Sequence, residues 1–187
     1  NAVPELLAMI ERNNDKDVYL RHAAVMALSR IGDKEPIIYL VNHPQRSVRL
    51  AAVLILRKWS DPSVANFLKD EDEYIVTEAA RAINDDWSIE EALDELAVVL
   101  KEERFTSEPL IRRAINACLR VGGEEEMKML LAFANRKSAS AEMRAEALAT
   151  LGTWSNPSVM DRVDGRYRGP LNNESAELIL LIKAQIN

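Results

Sequence analysis

The chain has 187 residues, of which 48% are hydrophobic, 29% are charged and only 5% are aromatic, and its formal net charge is −6. This acidic balance argues against a protein that grips a nucleic-acid backbone, because such proteins need a basic surface to replace the phosphate counterions. No apolar stretch approaches the roughly 20 residues of a membrane-spanning helix. We therefore predict a protein that binds no nucleic acid and inserts into no membrane.

The sequence predicts several pairs of helices, and the first helix of each pair is the shorter one. Proline is favoured in the first turn of a helix, where the missing N–H has no partner to lose. A proline precedes several apolar runs, at Pro4, Pro36, Pro62 and Pro157. Another run, over residues 92–100, follows the capping box Ser88-Ile89-Glu90-Glu91. These signals predict the first helix of each pair.

The second helix of each pair follows one template. Its first copy is Leu20-Arg21-x-x-Ala24-x-x-Ala27-Leu28-x-x-Ile31. Apolar residues at steps of three and four mark one buried stripe on a helix. Further copies start at Val48, Val76, Ile111, Met143 and, in degenerate form, Ser175. The middle of the stripe should be buried, at Ala24, Ala52, Ala80, Ile115 and Ala147.

A longer phrase also recurs, since Trp59-Ser60-Asp61-Pro62-Ser63-Val64 returns as Trp154-Ser155-Asn156-Pro157-Ser158-Val159. Internal self-similarity of this kind is the signature of stacked supersecondary units. No stretch shows the period-two alternation of β-strands. The sequence predicts an all-α fold of about six antiparallel helix pairs, forming a single repeat domain over residues 1–187.

The template phrases resemble the HEAT-like repeat family, in its short-repeat bacterial branch. The resemblance covers essentially the whole chain, and it departs from the family pattern at Thr77, at Asn84 and in the long unit over residues 88–122. It implies a right-handed α-α superhelix of the armadillo type. It also implies a scaffold for protein–protein interaction, with an extended concave surface that holds partners.

Side chains suited to catalysis are few. Cys118 lies in the template stripe, where a free cysteine acts as a small hydrophobe, and His22 and His43 lack metal-ligand neighbours. We predict no enzyme, no cofactor and no metal site. Acidic clusters such as Asp70-Glu71-Asp72-Glu73 are interpreted as solvated helix ends, with calcium or a basic partner as the alternative. The alternative function is an enzyme on the same solenoid, as in HEAT-like alkylpurine DNA glycosylases or bilin lyases.

Arginine recurs at one template position, in Arg21, Arg49, Arg112 and Arg144. This regularity favours hydrogen bonds between repeats to loop carboxylates such as Asp17 over anion binding. Template positions beside the stripe should be more exposed than the stripe itself. They add His22, Arg113 and Arg120 to the candidate partner contacts.

The segment 161–170 interrupts the repetition. Val159 lies 16 residues before Ser175, whereas Val64 lies 12 residues before Val76, so the turn of the last unit is longer. Insertions in solenoids map to loops that often carry specific contacts. We predict partner contacts here by Arg162, Arg166, Tyr167 and Arg168. In the expected arrangement the Tyr167 ring anchors the loop on the helices, and Arg166 and Arg168 face carboxylates, either Asp161 and Asp164 or those of an adjoining domain. The alternative is a structural plug of the terminal repeat.

Residues 161–170 and the stretch 79–86 also resemble the HEAT region of large secreted bacterial proteins. In those proteins a dehydrogenase-like β-propeller precedes the repeats and a haem-binding cytochrome c domain follows. The haem-attachment Cys-x-x-Cys-His is absent here, since Leu119 follows Cys118. The resemblance implies a monomeric connector excised from a larger protein, with a neighbouring domain as its partner. A periplasmic or extracellular location is implied by the resemblance alone.

Overall fold

The computed structural model describes residues 2–174, and this part of the chain is predominantly helical. Short 3₁₀ segments continue, replace or precede the first helix of several pairs, at Tyr39–Asn42, Pro62–Lys69, Glu90–Ala92 and Val99–Lys101. The α-helices within the described range are α1 (Val3–Asn13), α2 (Val18–Ile31), α3 (Lys34–Ile38), α4 (Arg46–Trp59), α5 (Glu73–Asn84), α6 (Leu93–Val98), α7 (Glu108–Val121), α8 (Glu124–Asn135) and α9 (Ala141–Gly152).

Several helices have recognisable N-terminal and C-terminal capping residues. The carboxylate of Asp17 accepts hydrogen bonds from the first backbone N–H groups of α2, and the hydroxyl of Ser140 caps α9 in the same way. Gly32 and Gly122 end α2 and α7 in the left-handed conformation, at φ 74° and 79°. Asp17 therefore caps its own helix, and the prediction that it pairs with the arginine column is wrong.

The chain divides into two compact units. One comprises Asn1–Ile83 with Trp87–Ala92, and the other comprises Asn84–Asp86 with Leu93–Asn187. In the first unit α2 packs on α1, and α4 packs on both of them. In the second unit α6 packs on α7, and α9 packs on both α7 and α8. Each unit is thus built from stacked helix pairs; the prediction of one domain over residues 1–187 stays a prediction.

The middle of the predicted core stripe is confirmed, whereas its ends are exposed at Leu20, Ile31 and Trp87. Every residue in the middle of the stripe is at most 1% exposed: Ala24, Ala52, Ala80, Ile115 and Ala147. Cys118 is buried as predicted. Asn84, which departs from the family pattern, is fully buried and accepts a hydrogen bond from Asn116 at 2.8 Å. The sequence periodicity therefore placed the packing surfaces correctly.

The end of the described range differs from the prediction. Pro157 opens no helix, and residues 153–174 form turns with an isolated antiparallel bridge between Met160 and Tyr167. Val159 is 41% exposed, whereas Val64, its counterpart in the repeated phrase, is fully buried. The predicted first helix of the sixth pair is therefore wrong. The predicted sixth template helix, over residues 175–187, lies outside the described residues.

Candidate functional site

A small hairpin follows α9 in the second unit. The Asp161 N–H donates to the Arg166 carbonyl at 2.7 Å, and the Arg168 N–H donates to the Val159 carbonyl at 2.8 Å. The turn closes at Gly165, whose φ of 72° favours glycine, and its N–H donates to the Asp161 carbonyl. The inserted residues therefore have a defined shape.

Asp161 holds the hairpin together from inside, with a fully buried side chain. One carboxylate oxygen accepts from the backbone N–H groups of Val163 and Asp164, at 2.8 and 3.1 Å. The other accepts from the Asn116 amide at 2.9 Å and from Arg168 Nε at 3.3 Å. We call these residues, together with Arg120, whose Nη1 lies 3.9 Å from Asp161 Oδ2, the Asp161 cluster.

The Asp161 carboxyl is held in its charged form. Burial by itself raises its pKa, but the N–H groups of Val163 and Asp164, followed by Asn116 and Arg168, outweigh the burial and leave the pKa lowered. A buried carboxylate that is hydrogen-bonded and paired in this way orders the groups around it. The cluster therefore fixes the backbone of the inserted loop.

Arg168 is bound to several acceptors within the second unit. Its side chain is only 10% exposed. Its guanidinium donates to the carbonyls of Asn84 and Asp86, both at 2.8 Å, and to the Asp164 carboxylate at 2.9 Å. Its donors are bound within the second unit, so Arg168 holds the loop in place, and the predicted partner contact stays a prediction.

Arg166 and Tyr167 remain accessible. The Arg166 side chain is 47% exposed and reaches the Asp86 carboxylate at 3.2 Å. Tyr167 is 69% exposed, so the prediction that its ring anchors the loop on the helices is wrong. Alternate residues of an extended segment point to opposite sides. Because the acceptors of Arg168 lie on the inner side, Tyr167 is directed to solvent.

The other candidate contacts are divided between internal pairs and open surface. Arg113 grips Asp85 with two parallel hydrogen bonds, at 2.8 and 2.7 Å, and the Arg120 side chain is only 5% exposed in the Asp161 cluster. Arg162 lies 3.3 Å from the Glu146 carboxylate. His22 is exposed on α2 in the first unit. Arg113 and Arg120 are thus ill suited to partner contact because their charges are satisfied internally.

The template arginines bind internal acceptors, but only Arg49 does so as predicted, through a loop carboxylate beyond its own repeat. Arg21 pairs with Asp15 at 2.8 Å, and Arg49 grips Asp70 through two nitrogens, at 2.6 and 3.0 Å. Arg112 contacts Glu142 and Glu146, the latter at 3.1 Å. Arg144 donates instead to the Ala134 carbonyl, at 2.8 Å. The recurrence of arginine thus reflects internal hydrogen bonding.

No metal-binding group of His, Cys, Asp or Glu occurs within residues 2–174. Burial raises the pKa of the Cys118 thiol, which disfavours a reactive thiolate. Over the same range no helix combines the length and apolarity needed to cross a bilayer.

The helix pairs and their shared core stripe define an all-α protein of the HEAT-like solenoid class. A family model described as HEAT repeats matches residues 3–84, so this part of the chain is similar to HEAT repeats. No curated protein matches the chain. HEAT repeats generally act as protein-interaction scaffolds and are typically non-catalytic.

Sequence reasoning offered Asp161 as an acceptor for the loop arginines, but it missed Asn116 and the burial of the carboxylate at the centre of the site. A signal was present, since Asn84 and Asn116 place amides in helices that otherwise pack through apolar residues. Buried amides require hydrogen-bond partners. In this chain the Asn116 amide donates to both Asn84 and Asp161.

Proposed function

We propose that the chain is a non-catalytic scaffold that connects and docks domains of a larger secreted bacterial protein. Residues 1–187 are one repeat domain of that protein, monomeric by itself. The observation that carries the proposal is the 69% exposure of Tyr167 on a loop fixed by the buried Asp161. An exposed aromatic held in one conformation loses little entropy on binding.

The docking surface consists of exposed side chains of the hairpin, with Met160 and Tyr167 paired by the bridge and with Val159 and Arg166 at the edges. Val159 is 41% exposed, Met160 45% and Tyr167 69%, and Arg166 stands beside them at 47%. We call these residues the Tyr167 surface. Tyrosine and arginine are enriched among residues that dominate binding energy at interfaces. The surface fits a neighbouring domain that offers an apolar pocket next to a carboxylate.

Arg166 supplies an exchangeable charge at the edge of this surface. Its pair with Asp86 is half exposed on both sides, and exposed ion pairs contribute little to stability. A carboxylate of the docked domain would compete with Asp86 for the guanidinium at small cost. The secreted setting rests on the resemblance of the 79–86 and 161–170 stretches, and a periplasmic or extracellular location follows from it.

The test compares the isolated 187-residue chain with the longer natural polypeptide by hydrogen–deuterium exchange. We expect slower exchange at residues 159–160 and 166–167 in the longer form. Tyr167→Ala should remove that protection while leaving the melting temperature of the isolated chain unchanged. Lys137→Ala, an exposed change in another loop, is the matched control. Equal exchange of the hairpin in both forms would exclude docking through this surface.

A further inference from the structure

The outer face of α2 is apolar and open to solvent. Tyr19 is 83% exposed, Leu20 44% and Ile31 45%. Ala23 is also exposed, and Ala27 is half-buried. We call these residues the α2 face. Scattered apolar side chains are common on protein surfaces, but Tyr19, Leu20, Ala23 and Ala27 occupy template positions that are buried in α4 and α5. The position of Ile31 is not among them, since Trp87 in the third copy is exposed.

The equivalent residues of α4 and α5 are buried. The repeats align with offsets of 28 and 56 residues, so the comparison is position by position. In α4 the residues equivalent to Tyr19, Leu20, Ala23 and Ala27 are at most 2% exposed: Ser47, Val48, Ala51 and Ile55. In α5 all of them are fully buried: Ile75, Val76, Ala79 and Ile83. The template positions on α2 are therefore core positions without a covering element.

The packing of α4 indicates what kind of element would cover the α2 face. This helix packs on both α1 and α2, the complete preceding pair. In repeat proteins each unit contacts its neighbours, and a terminal repeat that caps the array carries a polar outer face. The α2 face instead presents Tyr19, Leu20 and Ile31, with the small Ala23 and Ala27 between them. This is the composition of an internal repeat, because small residues allow a neighbouring helix to approach closely.

We propose that the α2 face is a stacking surface for another helix pair of the same repeat type, ahead of α1 in the same polypeptide. A second copy of the chain fits less well, since symmetric pairing places α2 against α2. Where successive repeats meet in the first unit, the template helix α4 instead packs on both helices of the pair before it, α1 and α2. The proposal is independent of docking through the Tyr167 surface, because different residues in a different unit carry it.

The test adds such a pair to the chain. A copy of residues 34–61, which include α4 and end in Ser60-Asp61, is joined directly to Val3 in place of the first two residues. The expected result is a rise of about 5 °C or more in melting temperature, from apolar area removed from water. Amide exchange in α2 should slow by at least about tenfold, because local opening then requires separating the added pair.

The matched control is the double change Tyr19→Glu and Leu20→Glu. Both side chains are exposed in the first turn of α2, where acidic residues favour the helix dipole. In the unextended chain this change should leave the melting temperature within about 2 °C of the parent, as exposed substitutions usually do. In the extended chain it should abolish both the thermal gain and the slower exchange.

Several outcomes would overturn the proposal. One is a thermal gain that survives the glutamate substitutions, because the added pair would then pack elsewhere. Another is a concentration-dependent dimer of the unextended chain that Leu20→Glu disperses, which would make a second copy the occupant. A second extension, with residues 3–33 duplicated ahead of Val3, repeats the test with a different helix pair. If neither extension adds helical circular dichroism, the α2 face does not template a neighbouring pair.

Discussion

Replacement of Asp161 by asparagine tests whether the Asp161 cluster holds the inserted loop. The substitution keeps the size of the side chain and removes its charge. Arg168 and Arg120, with 10% and 5% of their side chains exposed, then lose their shared carboxylate. One asparagine nitrogen also meets the donor of Asn116, which lies 2.9 Å from that oxygen in the parent.

The expected loss in the free energy of unfolding is large for a single substitution in a loop. Removing one partner of a buried ion pair costs about 3–5 kcal/mol, because the remaining charge is left buried without compensation. Two experiments measure it: urea unfolding, and hydrogen exchange at the amides of Val163 and Asp164, which donate to Asp161. Exchange reports the cost even if the loop detaches while the helices stay folded. A change below about 1 kcal/mol in both measurements would refute the structural role of the cluster.

The pH dependence of this effect has a definite sign. The folded-state pKa of Asp161 is lowered, so its contribution to stability is present above the unfolded pKa of about 3.9 and is lost as pH falls through the folded pKa. The difference in the free energy of unfolding between the parent and Asp161→Asn should have its full value at pH 7 and should decrease below about pH 4. A difference that grows on acidification would contradict the assigned protonation state.

Further predictions concern other parts of the two units. Trp154→Ala should lower the free energy of unfolding by about 3–5 kcal/mol, because the fully buried ring leaves a cavity; a loss below about 1 kcal/mol in urea unfolding would contradict its core role. Ser47→Ala should raise that free energy by about 1 kcal/mol, since its buried hydroxyl has no hydrogen-bond partner among the described residues; a lower urea midpoint would contradict this. Cys118 should react with thiol reagents only as fast as the surrounding helices open, and labelling at the rate of a free thiol would show that it is accessible.

The helical part of the fold was predictable because one physical pattern repeats. Apolar residues at steps of three and four identified the buried stripe, and the residue in the middle of each described copy is buried. The exposure of charged residues was harder to predict. Arg113 and Arg168 occupy positions that look like surface in the sequence, yet carboxylates and carbonyls far along the chain hold them inside. Such partners depend on tertiary contacts that no local pattern encodes.

The site itself was predictable only in outline. The longer turn in the last unit drew attention to residues 161–170, and the hairpin is located there. Within it the anchoring role expected for Tyr167 was wrong, whereas Arg168 faces Asp161 and Asp164, two of the carboxylates expected for the loop arginines. Strand alternation was expected correctly, but it does not decide which side faces the protein. That choice follows from Asp161, whose buried charge attracts the arginine side.

The two copies of the repeated phrase, at residues 59–64 and 154–159, have similar sequences but are followed by different structures. In its first copy Asp61 accepts from the Ser63 N–H and from Lys34, and the 3₁₀ segment that follows buries Phe67 and Leu68. In the second copy the residues 95 positions further on are Arg162 and Val163 instead of that apolar pair, and Met129 instead of the lysine.

The proline and its cap can start a helix, but burial of an apolar face supplies most of the stability that keeps it. Without Phe67 and Leu68 the second copy has little to bury. The chain turns at Asp161, and Arg162, exposed to solvent, pairs with Glu146 at 3.3 Å. Restoring the apolar pair by Arg162→Phe and Val163→Leu is therefore expected not to recreate the helix, because Asp161, at the position equivalent to Asn66, remains bound to Asn116, Arg168 and the loop amides. Adding Asp161→Asn to those changes should raise helical circular dichroism. An increase with the apolar pair alone would show that apolar content, rather than the buried carboxylate, determines the hairpin.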